Sequence, residues 1–363
     1  MNDTPPPVPS PSSPSAPLDR RAFAKHSLAG LAAASTAGLA APWSARSEEK
    51  PLRLALVSAA TYGRPGQERT PGSNHGTAFS TLFNGWDEEK ARSIEGTFVK
   101  SGRRIEGVRV VKIWDPNKAA ARALAEACGI ETVTDTPEEC SEGVDAVILV
   151  DDGSGEQWKY AEHPLRQGIP TFCDKPLAMT ARDAAAVASI VRETGTPFMS
   201  ASSLRFVPDI VQLREELDEI GPVHLATTIC GNDLIYYGIH ALSMAYAVLG
   251  KGAVSAVNVG KPGTNVARIR FEPDLDVVLM TADRDRMRAG YQINLYGEKG
   301  WRTVTPDLKD LYAYLMEAFL DLVVTGKESV PVEEEVELIA ALEAAEKSLE
   351  LGREVDLSEV LAE

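Results

Sequence analysis

The sequence predicts an α/β protein in two parts: a Rossmann-like, doubly wound parallel sheet, followed by an α+β domain with an open, mainly antiparallel sheet. From residue 51, short β-branched runs alternate with Ala-rich helical stretches, which is typical of βαβ units. After about residue 204, strand-like segments follow one another through short turns, and such a run favours antiparallel pairing. The length of 363 residues leaves room for both parts.

Residues 1–45 are predicted to be a disordered leader followed by a signal peptide. The first 18 residues are rich in Pro and Ser and cannot build a core. Residues 19–25 (Asp-Arg-Arg-Ala-Phe-Ala-Lys) resemble the twin-arginine export pattern, and residues 28–41 supply an apolar region too short to span a bilayer. We therefore expect no permanent membrane anchor, the twin-arginine export machinery as a partner, and an exported, periplasmic or extracytoplasmic bacterial location. An ordinary amphipathic helix starting at Asp19 is the alternative.

The first predicted domain covers residues 51–203 and is Rossmann-like. Asn117 and Gly129 supply the N-cap and the left-handed C-terminal residue that a helix between them needs. A long insertion follows the first strand, and within it residues 74–85 are predicted to form a displaced first helix. Strands are predicted at 52–58, 108–115, 131–134, 145–151, 170–174 and 197–202, and helices at 117–128, 156–167 and 180–194.

The second predicted domain covers residues 204–363 and is assigned to substrate binding and oligomerisation. Its open sheet edge is compatible with a homo-oligomer. Strands are predicted at 223–230, 253–259, 266–271, 276–281, 291–296 and 301–304, and helices at 234–249, 308–322 and 332–351.

Charge and cysteine content exclude several classes of function. The formal charge of −16 argues against nucleic-acid binding, which requires a basic surface, and disfavours anionic membranes. The four cysteines form no C-x-x-C pair and have no His at ligand spacing, so no structural zinc site is indicated. Buried free thiols are expected, and a bridge between Cys128 and Cys140 stays open for an oxidising compartment.

The loop after the first strand departs from the glycine fingerprint of dinucleotide-binding folds. A Rossmann domain normally has G-x-G-x-x-G here, because only glycine lets the backbone approach a pyrophosphate. This chain has Ser-Ala-Ala-Thr-Tyr-Gly, of which Ser58 and Ala59 are small enough to be candidate cofactor contacts. Asp115 ends the second strand and is placed to bond a ribose hydroxyl, with an Asx-type turn as the alternative. Asp151, at the end of the fourth strand, is a further candidate.

The segment at residues 173–178 (Cys-Asp-Lys-Pro-Leu-Ala) resembles the E-K-P segment of the Gfo/Idh/MocA oxidoreductases (glucose-fructose oxidoreductase, inositol dehydrogenase and MocA), with Asp in place of Glu. A lysine at the carboxyl end of a parallel strand points into the ligand crevice, where its charge favours an alkoxide-like transition state. Lys175 is therefore predicted to be catalytic, and Lys175 and Pro176 to contact the cofactor. An ordinary surface lysine is the alternative.

Two further segments resemble this family. Residues 203–206 (Ser-Leu-Arg-Phe) resemble the crossover into the second domain, and residues 236–240 (Tyr-Tyr-Gly-Ile-His) resemble its D-x-G-x-H segment, with Tyr236 where the family has Asp. The resemblance implies that His240 is the general acid/base, for which a structural core histidine is the alternative. Arg205, Tyr237 and His75 are the predicted substrate contacts. No metal site is predicted, and a pair of His75 with His240 is the alternative.

The resemblance covers about residues 52–360 and implies an NAD(P)-dependent oxidoreductase that acts on a sugar, cyclitol or related polyol. An exported enzyme has no free nicotinamide pool, so its NAD or NADP is expected to be tightly bound. Asp115 would favour NAD over NADP. Two rivals stay open: an NAD-using glycoside-cleaving enzyme on the same fold, and a non-catalytic carbohydrate-binding or partner-binding protein.

Overall fold

Six parallel strands form the first sheet of the computed structural model, which describes residues 50–63 and 68–362. Strand β1 (Leu52–Val57) is followed by an inserted hairpin of β2 (Thr61–Tyr62) and β3 (Thr70–Pro71). The other strands of the first sheet are β4 (Val108–Trp114), β5 (Thr132–Val133), β6 (Ala146–Leu149), β7 (Thr171–Cys173) and β8 (Phe198–Met199).

The strand order of this sheet is β5-β4-β1-β6-β7-β8, with parallel pairing throughout. This is the order of doubly wound dinucleotide-binding folds, in which the strand order reverses between β1 and β6. Ligands of such sheets bind at the carboxyl ends of the strands beside that reversal. The predicted Rossmann-like sheet is confirmed.

Among the described residues six helices accompany this sheet, and five of them begin at a capping side chain, which for the helix at Pro137–Ser141 is Thr136. Ser73, Asp87, Asn117 and Thr180 each accept backbone N–H groups of the following first turn. The helices are α1 (Asn74–Asn84), α2 (Glu88–Arg92), α3 (Lys118–Cys128), α4 (Pro137–Ser141), α5 (Glu162–Arg166) and α6 (Ala181–Thr194). The displaced first helix and the helices predicted at 117–128 and 180–194 are thereby confirmed.

The single helix predicted at 156–167 is wrong. The structure has a 3₁₀ turn at Gln157–Tyr160 and then α5, with Pro164 in the first turn of that helix. In the middle of a longer helix Pro164 would remove a backbone hydrogen bond and collide with the preceding turn, whereas a first turn tolerates it.

Seven strands form the second sheet, in the order β14-β13-β9-β12-β11-β10-β15. All its pairs are antiparallel except β9 with β12, so the predicted mainly antiparallel sheet is confirmed. Its elements in chain order, after helices α7 (Pro208–Glu215) and α8 (Leu217–Ile220), are β9 (Val223–Gly231), α9 (Gly238–Leu249), β10 (Ala253–Asn258), β11 (Thr264–Phe271), β12 (Leu275–Ala282), β13 (Gln292–Gly297), β14 (Gly300–Val304), α10 (Leu311–Thr325), α11 (Val332–Leu351), β15 (Val355–Asp356) and α12 (Leu357–Leu361).

Helix α10 returns from the second half of the chain to the first sheet. Phe319 of α10 lies 5.6 Å from the ring of Phe172 in β7, and Leu315 and Met316 join the same buried cluster as Leu54 of β1. The change from one sheet to the other falls between β8 and β9. The exact boundary at 203/204 stays a prediction.

The predicted leader and signal peptide lie outside the described residues. Among the helices of the part that the structure covers, none combines the length and the hydropathy that a membrane crossing requires.

Candidate active site

A polar cavity of about 240 Å³ opens at the carboxyl ends of β6 and β7. It brings together four of the predicted functional residues, which are separated by up to 165 positions in the sequence: His75, Lys175, Tyr237 and His240. The lining residues are Tyr62, Asn74, His75, Asp152, Lys175, Ser203, Leu204, Tyr236, Tyr237, His240, Tyr291, Leu308, Leu311 and Tyr312.

Lys175 lies two residues after the end of β7, and its loop is fixed by one buried amide. Gln157 Nε2 donates to the carbonyl oxygens of Asp174 and Pro176, at 2.6 Å each. The Lys175 ammonium lies 4.1 Å from the centre of the Tyr236 ring. Burial lowers the pKa of Lys175, and the charges of Asp174, Asp152 and Asp233 oppose that effect. The loop therefore aims a buried cation at the cavity.

His240 lies in the first turn of α9, where its Nδ1 is 2.7 Å from Ser202 Oγ. Burial, and then the nearby charges of Lys175 and His75, lower its pKa well below 6.5. The ring is therefore neutral near pH 7. With Nδ1–H donating to Ser202, Nε2 carries a free lone pair that can accept a proton.

His75, the second residue of α1, has the opposite electrostatic character. Its Nδ1 lies 2.5 Å from Asp174 Oδ2. Burial opposes protonation, but the charges of Asp174 and Asp152 outweigh it and raise the pKa of His75 above 6.5. Two histidines of one cavity thus have pKa values displaced in opposite directions, which is the pattern expected of a proton-donor and proton-acceptor pair.

Tyr236 stands where the resembled family has the Asp of its D-x-G-x-H segment. Its hydroxyl accepts a hydrogen bond from the Gly153 N–H at 2.6 Å, and its ring faces the Lys175 ammonium. The negative charge that an Asp would bring is supplied instead by Asp152 and Asp174. Tyr236, although it carries no charge, therefore still stabilises the Lys175 ammonium.

His75, Asp152 and Asp174 offer ligand atoms within 4.8 Å of one another, so these residues could hold a metal ion. In this structure, however, His75 Nδ1 contacts Asp174, and Asp152 Oδ2 accepts from Ser73 Oγ and from the His75 N–H. The predicted absence of a metal stays a prediction.

Arg205 requires a correction. It was predicted to line the substrate side, and its neighbours Ser203 and Leu204 do line the cavity. The Arg205 guanidinium instead forms a buried ion pair with Glu334 of α11. Tyr237 does line the cavity, and its hydroxyl accepts a hydrogen bond from Arg284 at 3.2 Å.

Four of the predicted cofactor contacts lie at strand ends, and each of them contacts other parts of the protein: Ser58, Ala59, Asp115 and Asp151. Asp115 is fully buried and accepts hydrogen bonds from the Ala60 N–H, the Thr61 hydroxyl and the Asn117 N–H. Arg69 of the inserted hairpin contacts both Ser58 Oγ and Asp151 Oδ1. The Asx-type turn left open for Asp115 is therefore present, and a ribose contact would require the Thr61 loop to move.

Ala59, the fourth of these residues, is covered by the first turn of α1. A Cβ atom added to Gly76 would lie 1.8 Å from the Ala59 carbonyl oxygen, so only glycine allows this helix and strand to pack so closely. Gly76 thus has the packing role of the last fingerprint glycine. The sequence does not show this role, because 18 residues separate Gly76 from the end of β1.

A nicotinamide dinucleotide, the cofactor of the resembled family, does not fit this arrangement. Its pyrophosphate would need free N–H groups at the N-terminus of α1. The His75 N–H already donates to Asp152 Oδ2 at 2.9 Å, and the Gly76 N–H donates to Ser73 Oγ. Tyr62 also pairs with Asp152, so the hairpin crosses the gap between β1 and β6.

Comparison with known proteins shows which fold this chain shares and which family part of it is similar to. Residues 71–202, about a third of the chain, match the Gfo/Idh/MocA family model, described as an oxidoreductase family with an NAD-binding Rossmann fold. Among solved structures, a probable dehydrogenase from Thermotoga maritima covers 85% of this chain and 100% of its own at a TM-score of 0.67 and 19% identity. GenD2 from gentamicin A biosynthesis, in complex with NAD, covers 85% of this chain and 97% of its own at 0.66 and 17%. These likenesses show the fold.

Curated relatives match over shorter stretches. D-glucoside 3-dehydrogenase of Escherichia coli (strain K12) is 28% identical over 42% of this chain and 49% of its own length. Inositol 2-dehydrogenase of Rhizobium meliloti (strain 1021) is 31% identical over 33% of this chain and 36% of its own. The chain thus spans half or less of these relatives. Residues 71–202 are thus similar to the NAD-binding Rossmann fold of the Gfo/Idh/MocA oxidoreductases, and the strand order of the first sheet agrees with that fold.

Proposed function

We propose that this protein is an oxidoreductase that acts on a hydroxyl-bearing carbon of a sugar, cyclitol or related polyol. The observation that carries the proposal is the convergence of Lys175, His240 and His75 on one polar cavity, with the pKa of His240 lowered and that of His75 raised. The relatives named above act on glucosides and inositols, which supports the substrate class. The family match implies NAD or NADP, which the closed arrangement described above does not admit. We therefore propose that any such cofactor enters during folding, before Asp152 and the strands β2 and β3 take the positions described here, and is then retained.

The cavity residues divide the work on a substrate hydroxyl. The Lys175 ammonium can donate a hydrogen bond to the reacting oxygen and stabilise negative charge that develops there. His240 Nε2 can accept the hydroxyl proton, since the low pKa of this ring keeps it neutral. His75, whose pKa is raised by the charges of Asp174 and Asp152 against the effect of burial, can donate to a neighbouring substrate oxygen when it is protonated. The surrounding tyrosines provide both apolar faces and hydroxyl groups for a polyol.

Activity measurements with matched variants test this proposal. The natively exported protein is denatured and its released small molecules are identified by mass spectrometry, and turnover is then measured on glucosides, inositols and other polyols. Lys175→Met and His240→Asn should each lower kcat by a factor of about 100 or more. Lys100→Met, a change at an exposed lysine paired with Glu88, is the matched control and should leave turnover unchanged. Equal turnover in all four proteins would refute the proposal.

A second candidate is a carbohydrate-binding protein that retained the fold and lost the chemistry. The engaged N-terminus of α1 favours it, because this part of the fold would otherwise receive the cofactor. A saturable polyol affinity with no turnover, reduced in Lys175→Met, would identify this function.

We also propose that the protein is exported through the twin-arginine route, on the strength of residues 19–25. Replacing Arg20 and Arg21 by lysine should retain the protein in the cytoplasm of the producing cell. Cell fractionation measures this, and an unchanged extracytoplasmic fraction would contradict the proposal.

A further inference from the structure

We infer that the carboxylate of Asp152 and the paired strands β2 (Thr61–Tyr62) and β3 (Thr70–Pro71) occupy the pyrophosphate position of the Rossmann fold, so that the folded, cofactor-free protein takes up no nicotinamide dinucleotide from solution. The inference concerns cofactor access only and does not depend on which polyol the protein uses.

The N-terminus of α1 already holds an anion. A helix N-terminus attracts negative charge through its free N–H groups and its dipole. Asp152 provides that charge here, since its Oδ2 accepts from the His75 N–H at 2.9 Å and from Ser73 Oγ at 2.5 Å. Asp152 is 3% exposed, so water does not compete for these contacts. A pyrophosphate would have to displace a carboxylate that is part of the chain.

Residues of the hairpin contact Asp152 and its neighbour Asp151. Tyr62 forms a parallel bridge with Asp152, and the Gly63 N–H donates to the Asp152 carbonyl oxygen at 3.0 Å. From the returning strand, Arg69 bonds Thr61 Oγ1 at 3.1 Å and pairs with Asp151 at 2.9 Å. The insertion is therefore attached to the end of β6, across the gap into which a dinucleotide would insert.

The remaining position for a dinucleotide, the ribose site at the end of β4, is closed by the same segment. The Ala60 N–H and the Thr61 hydroxyl both donate to Asp115, at 3.1 Å for Ala60. One continuous insertion thus engages Asp115, Asp151 and Asp152, the three carboxylates at the ends of β4 and β6.

Titration of the mature, cofactor-free protein with NADH and NADPH tests the inference, with fluorescence as the readout and inorganic pyrophosphate as a competitor. The wild type should show no saturation at millimolar concentrations. Asp152→Ala, and a variant in which residues 62–70 are replaced by two glycines, should each gain affinity, and their combination should bind NADH at least tenfold more tightly than the wild type. Asp87→Ala is the matched control: it also removes a carboxylate that caps a helix, α2, but one away from the crevice.

Two results would overturn the inference. The first is saturable binding of NADH by the cofactor-free wild type at micromolar concentrations. The second is a combined variant that keeps the circular dichroism spectrum of the wild type and still binds no dinucleotide. The proposed function fails separately, through absent turnover on every polyol, so the two failures are distinguishable.

Discussion

Glu335→Gln is expected to stabilise the protein above neutral pH and to leave its stability nearly unchanged in mild acid. Glu335 lies in the first turn of α11 and is 0% exposed, and neither of its carboxylate oxygens has a hydrogen-bond partner among the described residues. Burial raises the pKa of Glu335 from 4.5 to about 7; the Arg205 charge opposes this and the Glu334 charge adds to it. The substitution replaces this carboxylate by a neutral group of nearly the same shape.

The magnitude follows from the difference between the folded-state and unfolded-state pKa values. Because the folded-state pKa is the higher one, the folded protein holds a proton between pH 4.5 and about 7 that the unfolded chain has lost. The free energy of unfolding therefore falls as the pH rises through this window. Each pKa unit is worth about 1.4 kcal/mol, which gives a loss of about 3 kcal/mol by pH 8. The glutamine variant avoids this loss.

Urea unfolding followed by far-UV circular dichroism at pH 5 and pH 8 measures the effect. We expect Glu335→Gln to exceed the wild type by about 3 kcal/mol at pH 8 and by less than about 1 kcal/mol at pH 5. Glu334→Gln is the matched control on the same turn; because it breaks the buried ion pair with Arg205, it should destabilise the protein by about 3–5 kcal/mol at both pH values. Identical stability of Glu335→Gln and the wild type at pH 8 would refute the reasoning.

Three further outcomes are expected. Gly76→Ala should destabilise the protein by about 3 kcal/mol or more in urea unfolding, since its Cβ would overlap the Ala59 carbonyl, whereas Gly290→Ala, with no atom within 4 Å of the new Cβ, should stay within about 0.5 kcal/mol of the wild type. If the proposed oxidoreductase activity is found, kcat/KM should fall in acid as His240 gains a proton, at a pKa well below 6.5. It should also fall in alkali as Lys175 loses its proton, at a pKa below 10.5. Lys175→Arg should move only the alkaline limb, to higher pH. A thiol reagent such as DTNB should label no cysteine in the native protein and four after unfolding, and native labelling would contradict the buried, unbridged state of Cys128, Cys140, Cys173 and Cys230.

Local sequence signals were sufficient to predict most of the fold. Capping side chains such as Asn117 and Thr180 define helix starts through contacts within three residues, so they can be recognised in the sequence. The parallel pairing of β9 with β12 could not be predicted, because it depends on which strand enters the second sheet beside β9. The short β15 strand, which joins the edge of that sheet at β10, depends on the packing of α11 in the same way.

The candidate site was predictable only where its residues follow strands or belong to a recognisable segment. Lys175 and His240 were found in this way, and the structure brings both to one cavity. Tyr312 could not be found, because it reaches the cavity from α10, more than 130 residues after Lys175. Arg205 was misplaced because the sequence does not show that Glu334, on a distant helix, is available to pair with it.

The altered fingerprint and the unusual cavity have one structural origin. The inserted hairpin delays the start of α1 to residue 74, and this places His75 in the first turn of the helix, beside the end of β7. At this position the chain has Asp174 where the resembled family has Glu. The shorter side chain of Asp174 forms the hydrogen bond to His75. Asp152 links the two changes, since the same carboxylate caps α1 and helps to hold the charge on His75. Asp152→Ala should therefore lower the pKa of His75 as well as expose the N-terminus of α1. An NMR titration of the His75 ring measures this pKa. An unchanged pKa in the variant would show that the cap of α1 and the pKa of His75 do not depend on the same carboxylate.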